Sequence, residues 1–81
     1  GLEEIGISRV SNEGDHAVVR GRSFNEYSKV YDGEDQLETL YVDRNTLMVQ
    51  NQTLSDGALI TVKQVDDSGH VLSSSSDYTF H

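Results

Sequence analysis

Leu59-Ile60-Thr61-Val62-Lys63-Gln64-Val65, followed by Asp66-Asp67-Ser68-Gly69 and then His70-Val71-Leu72-Ser73, is the stretch whose reading decides the fold. Ile60 and Val62 alternate with Thr61 and Lys63, the period of two that a strand shows when one face is buried and the other wet. The four residues after Val65 are turn formers, so the stretch reads as a β-hairpin. A hairpin with one apolar face needs an opposing wall, and the rest of the chain must provide it.

Upstream, several short segments have the same character. Leu2 to Val10 sets Ile5 and Ile7 on one face and then needs a shift near Ser8 before Val10 can also turn inward. Ser11-Asn12-Glu13-Gly14-Asp15 reads as a loop. In His16–Gly21 the pattern directs Ala17 and Val19 inward and Val18 and Arg20 outward, with Phe24 covering the core beyond the strand. Ser28–Tyr31 is a short strand running into Asp32-Gly33, a tight-turn pair. Leu37–Val42 continues extended, and Asp43-Arg44-Asn45 turns the chain into Thr46–Val49, where Leu47 and Val49 point inward. Leu54 plugs one end of the core from a polar connection. Ser73-Ser74-Ser75-Ser76 reads as a bulge or crossing inside the last strand, and Asp77–Phe80 closes the chain with two aromatics at alternating positions.

No segment repeats apolar residues at helical spacing, and the chain has no proline. The expected fold is all-β: one small immunoglobulin-like antiparallel sandwich of six or seven short strands spanning residues 1–81. Gly1 reads as a cleavage scar and His81 as the start of a tag, so the domain is expected to be a piece cut from a larger protein.

Composition narrows the function classes. Fourteen acidic and six basic residues among 81 give a formal charge of -8, which sets the chain against a nucleic-acid backbone or an anionic membrane surface as partner. With no cysteine, neither a disulfide nor a thiolate metal site supplements the core. No apolar run is long enough to insert as a membrane-spanning helix.

Three kinds of chemistry are within reach of these residue types. The carboxylates of Asp32, Glu34, Asp35, Asp66 and Asp67 are oxygen ligands of the type calcium takes, but their spacing is not that of a twelve-residue calcium loop, and solvated turn acids are the preferred reading. His16 and His70, with Ser23 or Asp67 as partners, are the groups a hydrolase would use. Without a nucleophile elbow or oxyanion segment they read as surface imidazoles, so no catalytic residue, metal or cofactor is expected. Tyr27, Tyr31 and Tyr41 are the candidate interaction surface, because tyrosine joins a flat apolar face to a hydrogen-bonding tip. Asn51-Gln52-Thr53 fits a glycosylation acceptor, a motif too frequent by chance to weigh.

The order of these features resembles the IPT/TIG family of immunoglobulin-like domains. The resemblance rests on Gly14, Val19, Gly21-Arg22-Ser23-Phe24, Val30, Leu47 with Val49, Gly57-Ala58-Leu59-Ile60-Thr61-Val62, and Ser76-Asp77-Tyr78-Thr79-Phe80. The prolines usual before the first strand and after the middle one are missing. A weaker likeness is to the small domain at the C-terminus of bacterial sulfatase-fold phosphoglycerol transferases. These resemblances imply a non-catalytic spacer, docking or protein-interaction module of an extracytoplasmic or cell-surface bacterial protein. Its partner would be a neighbouring domain of the parent, another protein or a glycan. The alternative they leave open is a carbohydrate-binding module for a cell-wall or other glycan.

Overall fold

The computed structural model describes residues 4–81, so the start of the first expected strand, at Leu2, lies outside the described residues. These form nine strands: β1 (Gly6–Glu13), β2 (His16–Arg22), β3 (Ser28–Asp32), β4 (Asp35–Gln36), β5 (Thr39–Asp43), β6 (Thr46–Val49), β7 (Leu59–Val65), β8 (Val71–Ser74) and β9 (Tyr78–Thr79). Two are two-residue pieces, β4 and β9. One sheet runs β1-β2-β6-β5 and the other β4-β3-β7-β8, with β9 also on β7. All the pairings are antiparallel. The fold is therefore an all-β sandwich of two antiparallel sheets.

Turn chemistry sets the register. Glu13 pairs with His16, leaving Gly14-Asp15 as a two-residue loop, and Asp32 pairs with Asp35 around Gly33-Glu34. Gly33 has φ +61° and Glu34 does not share it, the pattern of a hairpin turn with glycine first. Between Ile7 and Arg9 the β1–β2 ladder slips by one residue. The slip at Ser8 lets Ile5 and Val10 both reach the interior, as the sequence requires.

Ile60 and Val62 are fully buried, in one cluster with Val30 of their own sheet and Ala17, Val19, Leu47 and Val49 of the other. Burying a side chain of that size contributes about 1.5–3 kcal/mol, so this layer carries most of the stability of so small a domain. Ile5, Val10, Phe24, Leu54 and Phe80 complete the cluster. Gly21 stands where Phe24 folds back: a Cβ there would lie 1.9 Å from the Gly6 carbonyl oxygen and 2.7 Å from the end of the Phe24 ring. Only glycine fits that approach.

Two expectations need correcting. Val18 does lie on the outer face with Arg20, but it is only 6% exposed. Its strand is flanked on both sides, with Ser11 of β1 and Met48 of β6 directly beside it. His70 belongs to the turn and not to the hairpin's second strand, which begins at Val71. That strand is an edge, and Leu72 is 67% exposed.

The segment between β3 and β6 changes sheets. After Gln36 the Leu37 amide still donates to the Val30 carbonyl at 2.8 Å, and the Thr39 hydroxyl accepts the Val30 amide at 2.9 Å. The Gln50 amide then donates to the Glu38 carbonyl, and β5 runs along the first sheet. Thr39 thus takes the place of a strand for one residue of β3, while its own hydroxyl donates to Leu37. Ser75 does the same on the opposite edge of β7. Its amide donates to Val62, its hydroxyl accepts the Val62 amide, and the hydroxyl proton goes to Ser76. The serine run ends β8 with Ser73 and Ser74, and Ser75 and Ser76 form the break before β9 that is held in this way.

Candidate functional site

The three tyrosines singled out in the sequence occupy three different places. Tyr27 lies in the turn leading into β3, Tyr31 on β3 itself, and Tyr41 on β5 of the other sheet. Tyr31 faces outward on the second sheet, where the Lys63 ammonium sits 4.5 Å from its ring centroid and Gln36 accepts its hydroxyl proton at 2.8 Å. An ammonium over the ring is a cation–π contact, and it occupies the aromatic surface on which a sugar would stack. Tyr27 and Tyr41 are both exposed. Tyr41 pairs with Leu47 at the rim of the core.

Neither histidine meets the partners considered in the sequence. His16 Nδ1 lies 3.5 Å from Asp15, and His70 Nδ1 lies 3.2 Å from Asp66, its neighbour across the turn. Asp66 serves the turn itself: one carboxylate oxygen accepts the Ser68 and His70 amides at 2.9 and 2.8 Å. These bonds, that from the His70 amide foremost, hold the Asp66 carboxyl below the usual aspartate range against the opposing effect of desolvation. Among the described residues no three histidine or carboxylate side chains converge as a metal site would require. The one concavity to note is an open depression of about 310 Å³ where the chain changes sheets, lined by Lys29, Gln36, Leu37, Glu38 and Thr39.

A different surface is better built for contact. The outer face of the first sheet carries three rows set by the strand registers. The middle row crosses all four strands as Ser11, Val18, Met48 and Leu40. On one side of it lie Arg9 and Arg20, directly opposite each other, followed by Thr46 and Asp43; on the other lie Glu13 opposite His16, with Glu38 at the far edge. The Ser11 hydroxyl donates to Glu13, in keeping with their common face. Leu40 is 44% exposed and Val42, beside it at the β5 bulge, 49% exposed.

The sequence signal for this surface was present in Val18, Leu40, Val42 and Met48, outward-facing apolar residues at strand spacing. Which strands stood side by side was not legible, and only adjacency makes a patch of them. No family model, no curated protein and no solved structure matches the chain.

Proposed function

We propose that this chain is a non-catalytic accessory module that works as a spacer and docking unit through the outer face of its first sheet. The observation that carries the reading is the exposure of Leu40 and Val42 next to Met48 and Val18, an apolar strip on a sheet face over which no other described element lies. Apolar side chains grouped on an outer face lose water contact favourably when a partner covers them. The charged rows on either side would orient that partner more than they would hold it. The sequence likeness to IPT/TIG domains adds the expected setting, an extracytoplasmic or cell-surface bacterial protein, and the finer assignment to that family rests on the likeness alone.

Site-specific photo-crosslinking tests the docking reading. A benzophenone side chain at Val42 is expected to form adducts with a protein partner in the native host, whereas one at Lys29, on the other sheet, is expected to stay silent. Adducts from Lys29 alone would overturn the choice of face. Saturable glycan binding lost in Tyr31→Ala, with no adduct from Val42, would replace docking by sugar recognition.

A further inference from the structure

The four asparagines of the chain divide into three that hold the fold and one that does not. The Asn12 side chain is bonded to the Leu54 backbone, the Asn25 side-chain oxygen accepts the Tyr27 amide at 2.8 Å, and the Asn45 side-chain amide donates to the Gly21 carbonyl at 2.9 Å. Among the described residues the Asn51 side chain has no hydrogen-bond partner, and neither has the Thr53 hydroxyl. The chain turns at Asn51, with φ +60°, directly after β6; Asn51, Gln52 and Thr53 are all exposed, and the fold resumes at buried Leu54. The one asparagine without a structural task is the first residue of Asn51-Gln52-Thr53, the acceptor triplet that chance alone could have written into the sequence. Chance does not account for its being left free.

We propose that Asn51 is a modification site that receives an N-linked glycan. Transfer of this kind asks three things of the acceptor: an amide nitrogen in the open, a hydroxyl two residues on for the transferase to read, and a segment able to leave the surface and enter an active site. Asn51 Nδ2 and the Thr53 hydroxyl meet the first two, since both residues are exposed and neither side chain is engaged. The third follows from how the segment is held. It is tied at its two ends, to the first sheet through Val49 of β6 and to Asn12 through Leu54, so lifting the triplet breaks no side-chain bond of its own. Asn12, Asn25 and Asn45 could be presented only by breaking the bonds they make to the backbone.

The donor is a sugar joined through its anomeric carbon to a polyprenyl pyrophosphate. Asn51 Nδ2 attacks that carbon; the C–N bond forms as the anomeric C–O bond breaks, the carrier leaves as its pyrophosphate, and a base of the transferase takes the amide proton. Nothing is oxidised or reduced. The β5–β6 register sets Thr39 beside Val49 and Asp43 beside Thr46, so Val42 lies toward one end of β6 and Asn51 just beyond the other. The glycan therefore starts at the end of the first sheet remote from Val42. Transfer takes place outside the cytoplasm, so it rests on the setting proposed above and not on the docking face.

Peptide mass spectrometry of the protein recovered from its native host tests the site. Cleavage after Arg44 and Lys63 releases residues 45–63, which include both Asn45 and Asn51. A glycan mass increment is expected on this peptide, with fragment ions placing it on Asn51. Thr53→Ala should abolish it without disturbing the turn, because Thr53 is exposed and its hydroxyl bonds to nothing. Thr53→Ser keeps the hydroxyl and should keep the glycan. The unmodified mass alone, an increment on Asn45, or a glycan that persists in Thr53→Ala each overturns the proposal. Fractionation of the same cells separates this from the proposed setting: an exported chain with an unmodified peptide counts against the site alone, whereas a chain retained in the cytoplasm overturns both. Neither result decides the docking reading, which stands or falls on the adduct pattern from Val42 and Lys29.

Discussion

Asn12 and Leu54, 42 residues apart in sequence, exchange two hydrogen bonds: the Asn12 amide donates to the Leu54 carbonyl at 2.9 Å, and its oxygen accepts the Leu54 amide at 2.8 Å. One side chain thus does for the β6–β7 connection what a neighbouring strand would do, and it fixes Leu54 as the plug of the core. Asn12→Ala leaves both backbone groups of a buried residue without a partner, at a cost of about 2 kcal/mol. Thermal unfolding should report it as a fall in Tm of about 10 °C for a domain of this size. A fall under about 2 °C would mean that water replaces the side chain fully.

Gly21→Ala should be among the most damaging single-methyl additions in the chain. The new Cβ would meet the Gly6 carbonyl oxygen at 1.9 Å, so either the β1–β2 ladder or the Phe24 ring has to move. The expected loss is about 3 kcal/mol, in the upper range for overpacking. Gly33→Asn is the control. Its φ of +61° is one asparagine adopts and its Cβ meets nothing, so urea denaturation should place it within about 1 kcal/mol of the parent chain. Equal midpoints for the two variants would contradict the close approach at Gly21.

Thr39 and Ser75 each give a β-strand amide the acceptor that a missing strand segment would have provided. Thr39→Val keeps the shape and removes the acceptor, so the Val30 amide is left unpaired inside the fold. A loss of about 1–3 kcal/mol is expected. Amide hydrogen exchange should locate the damage, with Val30 accelerated beyond the rest of β3; in Ser75→Ala the accelerated amide should be Val62. Uniform acceleration across both sheets would show that these hydroxyls act only through global stability.

The β7–β8 turn should depend on acid. Asp66 titrates below the ordinary aspartate value in the folded chain, chiefly because its carboxylate accepts the His70 amide. A lowered folded pKa means that the carboxylate's contribution is fully present above the unfolded pKa of about 3.9 and is lost as pH falls through the lower folded value. Carboxyl-detected NMR should place the Asp66 midpoint below about 3.9, with the Ser68 and His70 amide resonances shifting together at that pH. A midpoint at or above the unfolded value would contradict the cap.

The parts of this architecture that were legible from sequence are those written in short-range pattern. Alternation placed Ile60, Val62, Ala17, Val19, Leu47 and Val49 inside, and the conflict between Ile7 and Val10 placed the slip at Ser8. What escaped is what depends on adjacency between distant segments. Asn12 reads as one more turn former, and nothing near it in sequence points to Leu54. Thr39 reads as an ordinary strand residue, although its hydroxyl is what holds the chain to β3 as it leaves one sheet for the other. Val18 alternates outward and is nevertheless buried, because the two strands beside it are known only from the topology. The tyrosines are legible as contact chemistry, but nothing near Tyr31 in sequence points to the Lys63 ammonium over its ring.

Every surface described here presupposes that the sheet of β3 and β7 packs face to face on the sheet of β2 and β6. Methyl–methyl NOE spectroscopy tests this most directly. Cross-peaks are expected from the Ile60 and Val62 methyls to those of Val19 and Leu47, members of one buried cluster drawn from the two sheets. Ile60 and Val62 methyls showing NOEs only within their own sheet, together with solvent-exposed relaxation, would contradict the two-layer core and the outer faces derived from it.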